Sequence, residues 1–119
     1  MMMKREYQEY LDVAREFAKH ALDSKTPSVA IQDAHKAVEF ALCVYATKKG
    51  LAIPRDHWQT KNLAYRISRE FGKNFGLLLE FYLGAYRLKN GSKAKKALAL
   101  MSKMLGELEK HAEEAILPK

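Results

Sequence analysis

Residues 26–58, TPSVAIQDAHKAVEFALCVYATKKGLAIPRDHW, read as one capped, alanine-rich helix followed by a basic turn that opens another helix. Thr26 is placed to accept a hydrogen bond from the first free backbone N–H groups. Pro27 suits a first helical position, and Gly50 offers a left-handed stop. Between these ends Ile31, Ala34, Val38, Leu42 and Tyr45 fall on one stripe. Ala30, Ala37 and Ala41 thin the helix so that a neighbouring backbone can come close. The pattern predicts a central helix of a bundle.

Working outward, helical periodicity recurs along the chain and no alternating strand pattern competes with it. A first helix is expected over about 4–23, with Tyr7, Leu11, Ala14, Ala18 and Ala21 on one face and Phe17 and Leu22 widening it. A third opens after Pro54 and runs through Ala64, Ile67 and Phe71 to Gly72. A fourth covers about 74–89; from Phe75 to Leu88 only Glu80 and Arg87 are charged, so it is expected in the middle of the bundle or with one face against a second subunit. The fifth, 92 to about 116, carries a heptad of Ala94, Leu98, Met101, Leu105, Leu108, Ala112 and Ala115. Short connections imply antiparallel neighbours, and the expected fold is an all-α, up-and-down bundle of about five helices.

The chain's 119 residues fit one domain, 1–119, long enough to bury about two thirds of the surface its unfolded form exposes. A single cysteine, Cys43, excludes an internal disulfide or a cysteine-built zinc cluster and points to a reducing, cytoplasmic setting. The first residues turn polar at once, and no apolar run approaches the roughly 20 residues of a membrane span. Low amide content, three Gln and three Asn, beside abundant Lys and Glu hints at a thermophile.

The net charge of +7 is unevenly spread. Residues 1–39 hold six Lys/Arg against seven Asp/Glu, residues 40–106 hold thirteen against three, and residues 107–119 hold two against four. Between Phe81 and Gly106 there is no acid, while Arg87, Lys89, Lys93, Lys95, Lys96 and Lys103 crowd around Asn90-Gly91, with Tyr82 and Tyr86 within two helical turns. Arg87 and Lys89 complement the negative end of the fourth helix. Lys93, Lys95 and Lys96 sit at the positive end of the fifth, where cations are disfavoured and anions are welcome. A corner formed by Arg87, Lys89, Lys93, Lys95, Lys96, Tyr82 and Tyr86 is therefore the expected site for phosphates or nucleic acid, against the alternative of a merely solvated turn.

The remaining chemistry is sparse. His35 and Glu39 are i, i+4 neighbours, a spacing that can ligate a metal but lacks a third ligand in the sequence, so the pair is read as a hydrogen-bonded structural contact. Asp56 suits the start of the third helix, and Trp58 is expected to anchor that turn in apolar surface. His111, among Glu109, Glu113 and Glu114, reads as solvated. No Gly-rich phosphate loop or nucleophile with a recognisable base is present, and no metal or cofactor is expected.

The segment QDAHKAVEFALCVYATKKGLAIPRDHWQTKNLAYRI resembles the second and third helices of the HEPN superfamily, especially its small archaeal PaREP-like members, and the likeness extends over about residues 5–115. It rests on a short-residue helix of the type A-x-x-A-V-E-x-A-L, a K-K-G stop, a Pro-Arg-x-His turn and a later Phe- and Tyr-rich helix. The resemblance implies a helical bundle that forms a homodimer, and either an RNA-cleaving toxin activity or partnership with a small nucleotidyltransferase-like protein. The family's catalytic hallmark is an Arg followed after four to six residues by a His late in the chain. After Arg87 the next histidine is His111, and Arg55-Asp56-His57 has too short a gap. The one numerical match, Arg15 to His20, lies in the first helix, where an i, i+5 pair sits about 140° apart. Arg15 and His20 are thus the only catalytic candidates, and their spacing reads as chance. The expectation is a non-catalytic HEPN-like dimer that binds a protein partner or phosphates of nucleotide or RNA. Toxin-type ribonuclease and a purely structural dimerisation protein are the alternatives.

Overall fold

The computed structural model describes residues 4–85 and 91–118, the side chains of residues 4 and 5 excepted. The described chain is all-α, with helices α1 (Lys4–Asp23), α2 (Pro27–Lys49), α3 (His57–Ile67), α4 (Arg69–Leu83) and α5 (Gly91–Ala112). Tyr86, Arg87, Lys89 and Asn90 lie outside the described residues.

The centre of the bundle is α2. Its alanines at 30, 34, 37, 41 and 46 and its larger Ile31, Val38, Leu42, Val44 and Tyr45 are buried, so it is enclosed on almost every side. Small side chains let α1 lie close along it. Ala14, Ala18 and Ala21 of α1 are fully buried, and Phe17 stacks on Phe40 of α2 with centroids 5.8 Å apart. Helix α5 covers another side with Ala97, Met101, Met104, Leu105 and Leu108, while Phe71, Phe75, Leu78 and Phe81 of α4 complete the core. The expected heptad holds at Ala94, Met101, Leu105, Leu108 and Ala112; Leu98 is only half-buried and Ala115 is exposed.

The ends of α2 differ in how they are stopped. Gly50 takes a left-handed φ of 70°, and Leu51 N donates to Ala46 O at 2.8 Å, the pattern that satisfies a helix's last carbonyls. At the other end Thr26 is the cap residue by backbone, but its side chain caps nothing. Its N–H instead donates to Ser24 Oγ at 3.2 Å, so the α1–α2 turn is held by Ser24 rather than by the expected threonine cap.

Several expected boundaries move. The helix expected from Pro54 to Gly72 ends at Ile67, and Phe71 and Gly72 belong to α4, which ends at Leu83. The division falls on Ser68, whose extended backbone (φ −167°, ψ 161°) breaks the helix and whose Oγ accepts from Phe71 N at 3.0 Å. Gly72 serves a different purpose from a stop: a Cβ there would clash with the Tyr65 ring, so its absence lets α3 and α4 fold tightly onto each other. Helix α4 is not buried on every side, since Leu77 and Leu83 are 42% and 65% exposed. The fifth helix stops at Ala112, short of the expected 116, because Glu113 turns to φ 58°. The chain then returns along α1: Tyr7 donates to Glu114 at 2.8 Å, Arg15 Nε donates to Ala115 O at 2.7 Å, and Glu109 accepts from the N–H groups of Ile116 and Leu117.

Among the described residues, no helix is long and apolar enough to cross a membrane.

Candidate functional site

The chemistry-bearing side chains converge where the middle of α2 meets the start of α3 and the end of α4. Asp56 caps α3, accepting from Gln59 N at 2.8 Å, and Gln59 Oε1 accepts in return from Arg55 N at 2.8 Å. This reciprocal arrangement is a capping box displaced by one residue, and it fixes the first helical residue, His57, over α2. There His57 Nδ1 lies 3.5 Å from Glu39 Oε2. On the same carboxylate, Oε1 lies 3.3 Å from His35 Nδ1 and 3.6 Å from Lys36 Nζ.

Glu39 is therefore ringed by three nitrogen groups. Burial alone would push its carboxyl up, but His35, Lys36 and His57 outweigh that and hold it below the usual carboxylate range. The third partner that the sequence could not place for His35 and Glu39 is His57. His35 has no exposed surface; its Nδ1 is paired with Glu39 Oε1 at 3.3 Å, outside ideal hydrogen-bond alignment, and its Nε2 finds no partner.

Tyr82 closes the inner side. Its ring stacks on His35 with centroids 4.2 Å apart and planes 14° from parallel, and it meets His57 edge-on at 5.8 Å. Lys36 Nζ stands 5.7 Å from the Tyr82 centroid, within cation–π reach. Outward from Glu39 and His57 opens a cleft of about 390 Å³ whose wall includes Lys36, Phe40, Cys43, Arg55 and Thr60. Burial, helped by Glu39, pushes the Cys43 thiol up to about 11, so it is a neutral wall of the cleft.

The described lysines of the basic corner, Lys93, Lys95 and Lys96, are not in the wall of this cleft. Of its expected members, Lys93, Lys95, Lys96 and Tyr82 are described, whereas Tyr86, Arg87 and Lys89 lie outside the described residues. Lys95 and Lys96 are exposed, and Lys93 Nζ stands 5.3 Å from the ring centroid of Phe81. Tyr82, grouped with the corner by sequence distance, turns its ring to His35 instead. Phe81, beside Lys93, and Tyr82, on His35, are consecutive residues of α4.

Arg15 and His20 are not brought into either place. Arg15 is committed to Ala115 O and lies 3.9 Å from Glu114, and His20 is exposed near the end of α1. Trp58 reverses its expectation. It is 70% exposed, because the cap that turns His57 inward leaves the next side chain facing out. His111 is exposed as expected, with an edge-on contact to Tyr45 at 5.9 Å.

Comparison of the chain with protein-family models, with curated proteins and with solved structures finds no match.

Proposed function

We propose that this chain is a non-catalytic, HEPN-like binding module whose working surface is the basic corner, taking phosphate groups of single-stranded RNA or of a nucleotide. The observation that carries this reading is the placement of Lys93, Lys95 and Lys96. All three stand in the first two turns of α5, which has no acid in its first turn, and among the described residues none forms an ion pair. Each ammonium opposes the positive end of the helix dipole at a cost of a few tenths of a kcal/mol, and a bound phosphate removes that cost. Lys36 and Arg55 extend the positive surface toward the cleft, and the exposed Trp58 offers a face on which a base can stack.

A non-catalytic reading is supported by the engagement of Arg15 with the C-terminal segment, which leaves its guanidinium occupied. The direct test is binding of labelled single-stranded RNA and of ATP to the parent chain and to a Lys93→Ala/Lys95→Ala/Lys96→Ala variant. Binding that the variant loses supports the corner, and the preferred probe separates RNA from nucleotide. No binding of either by the parent chain would leave a protein partner, of the nucleotidyltransferase-like kind, as the ligand. RNA cleavage abolished by His20→Ala would replace this reading with the ribonuclease one.

A second reading, homodimerisation through the outer face of the α3–α4 hairpin, is favoured by one observation. Tyr65, Leu77 and Leu83 expose 42%, 42% and 65% of their surfaces around a shared groove. Sedimentation of the parent chain against Leu77→Glu/Leu83→Glu tests it: a dimer that the variant dissociates supports this face, and a monomeric parent chain rejects it.

A further inference from the structure

We propose that His35, Glu39 and His57 form a site for a divalent transition ion of the zinc class, at the inner end of the cleft. One ligand atom from each of the three residues can be chosen so that all lie within 4.8 Å of one another. A tetrahedral ion holding its ligands at about 2.0–2.2 Å separates them by about 3.4 Å. His35 Nδ1 lies 3.3 Å from Oε1 of Glu39 and His57 Nδ1 lies 3.5 Å from Oε2, so each imidazole already stands at that separation from one oxygen of the carboxylate, though not from the same one. An ion held by a single Glu39 oxygen requires His57 to move toward the oxygen that His35 already approaches. His57 can make that move, being 44% exposed in its side chain at the first position of a helix.

An independent observation points the same way. His35 is fully buried, its Nδ1 meets Glu39 Oε1 at 3.3 Å without a well-aligned hydrogen bond and its Nε2 meets no partner, a state that is costly for an imidazole in a core. Coordination through Nδ1 would satisfy that nitrogen. Packing of Tyr82 on one face of the ring and Phe75 at 5.5 Å holds the imidazole in place, as a ligand must be held to bind without a large ordering cost. The donor set decides the class of ion. Two imidazoles and one carboxylate suit zinc, cobalt or nickel and disfavour magnesium and calcium, which require more oxygen ligands. Lys36 beside Glu39 is the competing cation, and its side chain is 40% exposed and free to swing away. Three protein ligands leave a further coordination position toward the cleft and its cationic wall of Lys36 and Arg55. This site is independent of RNA binding at the corner.

The test is titration of the chelator-stripped, tag-free chain with Zn²⁺ and Co²⁺, with Mg²⁺ as the comparison ion, by calorimetry and by thermal unfolding. Saturation at a one-to-one ratio is expected, with a rise in Tm for Zn²⁺ and Co²⁺ and none for Mg²⁺. His57→Ala and Glu39→Gln, both at partly exposed positions, each weaken Zn²⁺ binding by at least about tenfold. These variants keep the proposal testable if His35→Ala, a core change, fails to fold. His111→Ala and Cys43→Ser leave the affinity unchanged. Absence of stoichiometric binding would overturn the proposal, as would binding that survives His57→Ala and Glu39→Gln or that depends on Cys43 or His111.

Discussion

The buried imidazole of His35 lies flat against the half-buried ring of Tyr82, 4.2 Å between centroids, so one aromatic residue of α4 roofs the most polar point in the core of α2. The same ring stands one residue from Phe81, which supports Lys93 of α5. The end of α4 therefore joins the interior histidine cluster to the positive corner.

Tyr82→Ala removes that roof and lets water reach His35. The expected destabilisation is about 1–3 kcal/mol in urea unfolding, below the cost for a fully buried ring because Tyr82 is partly exposed. Tyr82→Phe keeps the stack and changes stability little. In the alanine variant His35 also becomes open to acylation by diethyl pyrocarbonate, detectable at that residue by mass spectrometry. A protected His35 in that variant would show that Tyr82 is not its cover.

Gly72→Ala drives a methyl group against the Tyr65 ring. The ring is 42% exposed and can swing outward, so the loss is expected to be about 1–3 kcal/mol rather than a failure to fold. Adding Tyr65→Ala to the same chain removes the clash, and the double variant loses less than the two single losses combined. Strict additivity would contradict the close approach of α3 and α4.

Much of this fold is legible in the residues, and its gaps have physical reasons. Helix α2 can be read because Pro27 and Gly50 mark its ends and its alanines mark close neighbours. The α3–α4 boundary is hidden because Ser68 alone interrupts the helix, and the apolar period of Leu63, Ala64 and Ile67 runs on into Phe71 without a glycine or proline between them. The spacing of His35 and Glu39 is visible along one helix. Their meeting with His57 is tertiary, created by the turn between α2 and α3. One local signal was available: Asp56 and Gln59, three apart, cap the helix and fix which way His57 and Trp58 face. Tyr82 lies near the lysines in sequence, but its ring packs on His35 of α2.

Alkaline stability tests the return of the C-terminal segment along α1. Burial first, and the hydrogen bond to Glu114 second, raise the Tyr7 hydroxyl to about 12. Folded Tyr7 thus keeps its proton in a range where unfolded Tyr7 has lost it. Its contribution is complete below the ordinary value of 10.0 and is lost as pH rises toward about 12. Denaturant midpoints of the parent chain should fall across that window more steeply than those of Tyr7→Phe. Parallel curves would mean that the Tyr7–Glu114 contact is not maintained in solution.

Phosphate binding at the α4–α5 corner is tested most directly by the salt dependence of single-stranded RNA affinity in the parent chain and the Lys93→Ala/Lys95→Ala/Lys96→Ala variant. Each phosphate contact to a single strand contributes about 0.7 to the slope of log K against log salt, so losing three contacts makes the slope shallower by about 2. That difference, with weaker binding at every salt concentration, is the predicted result. Equal slopes for the two proteins, or an affinity that salt does not change, would contradict a phosphate site built from these lysines.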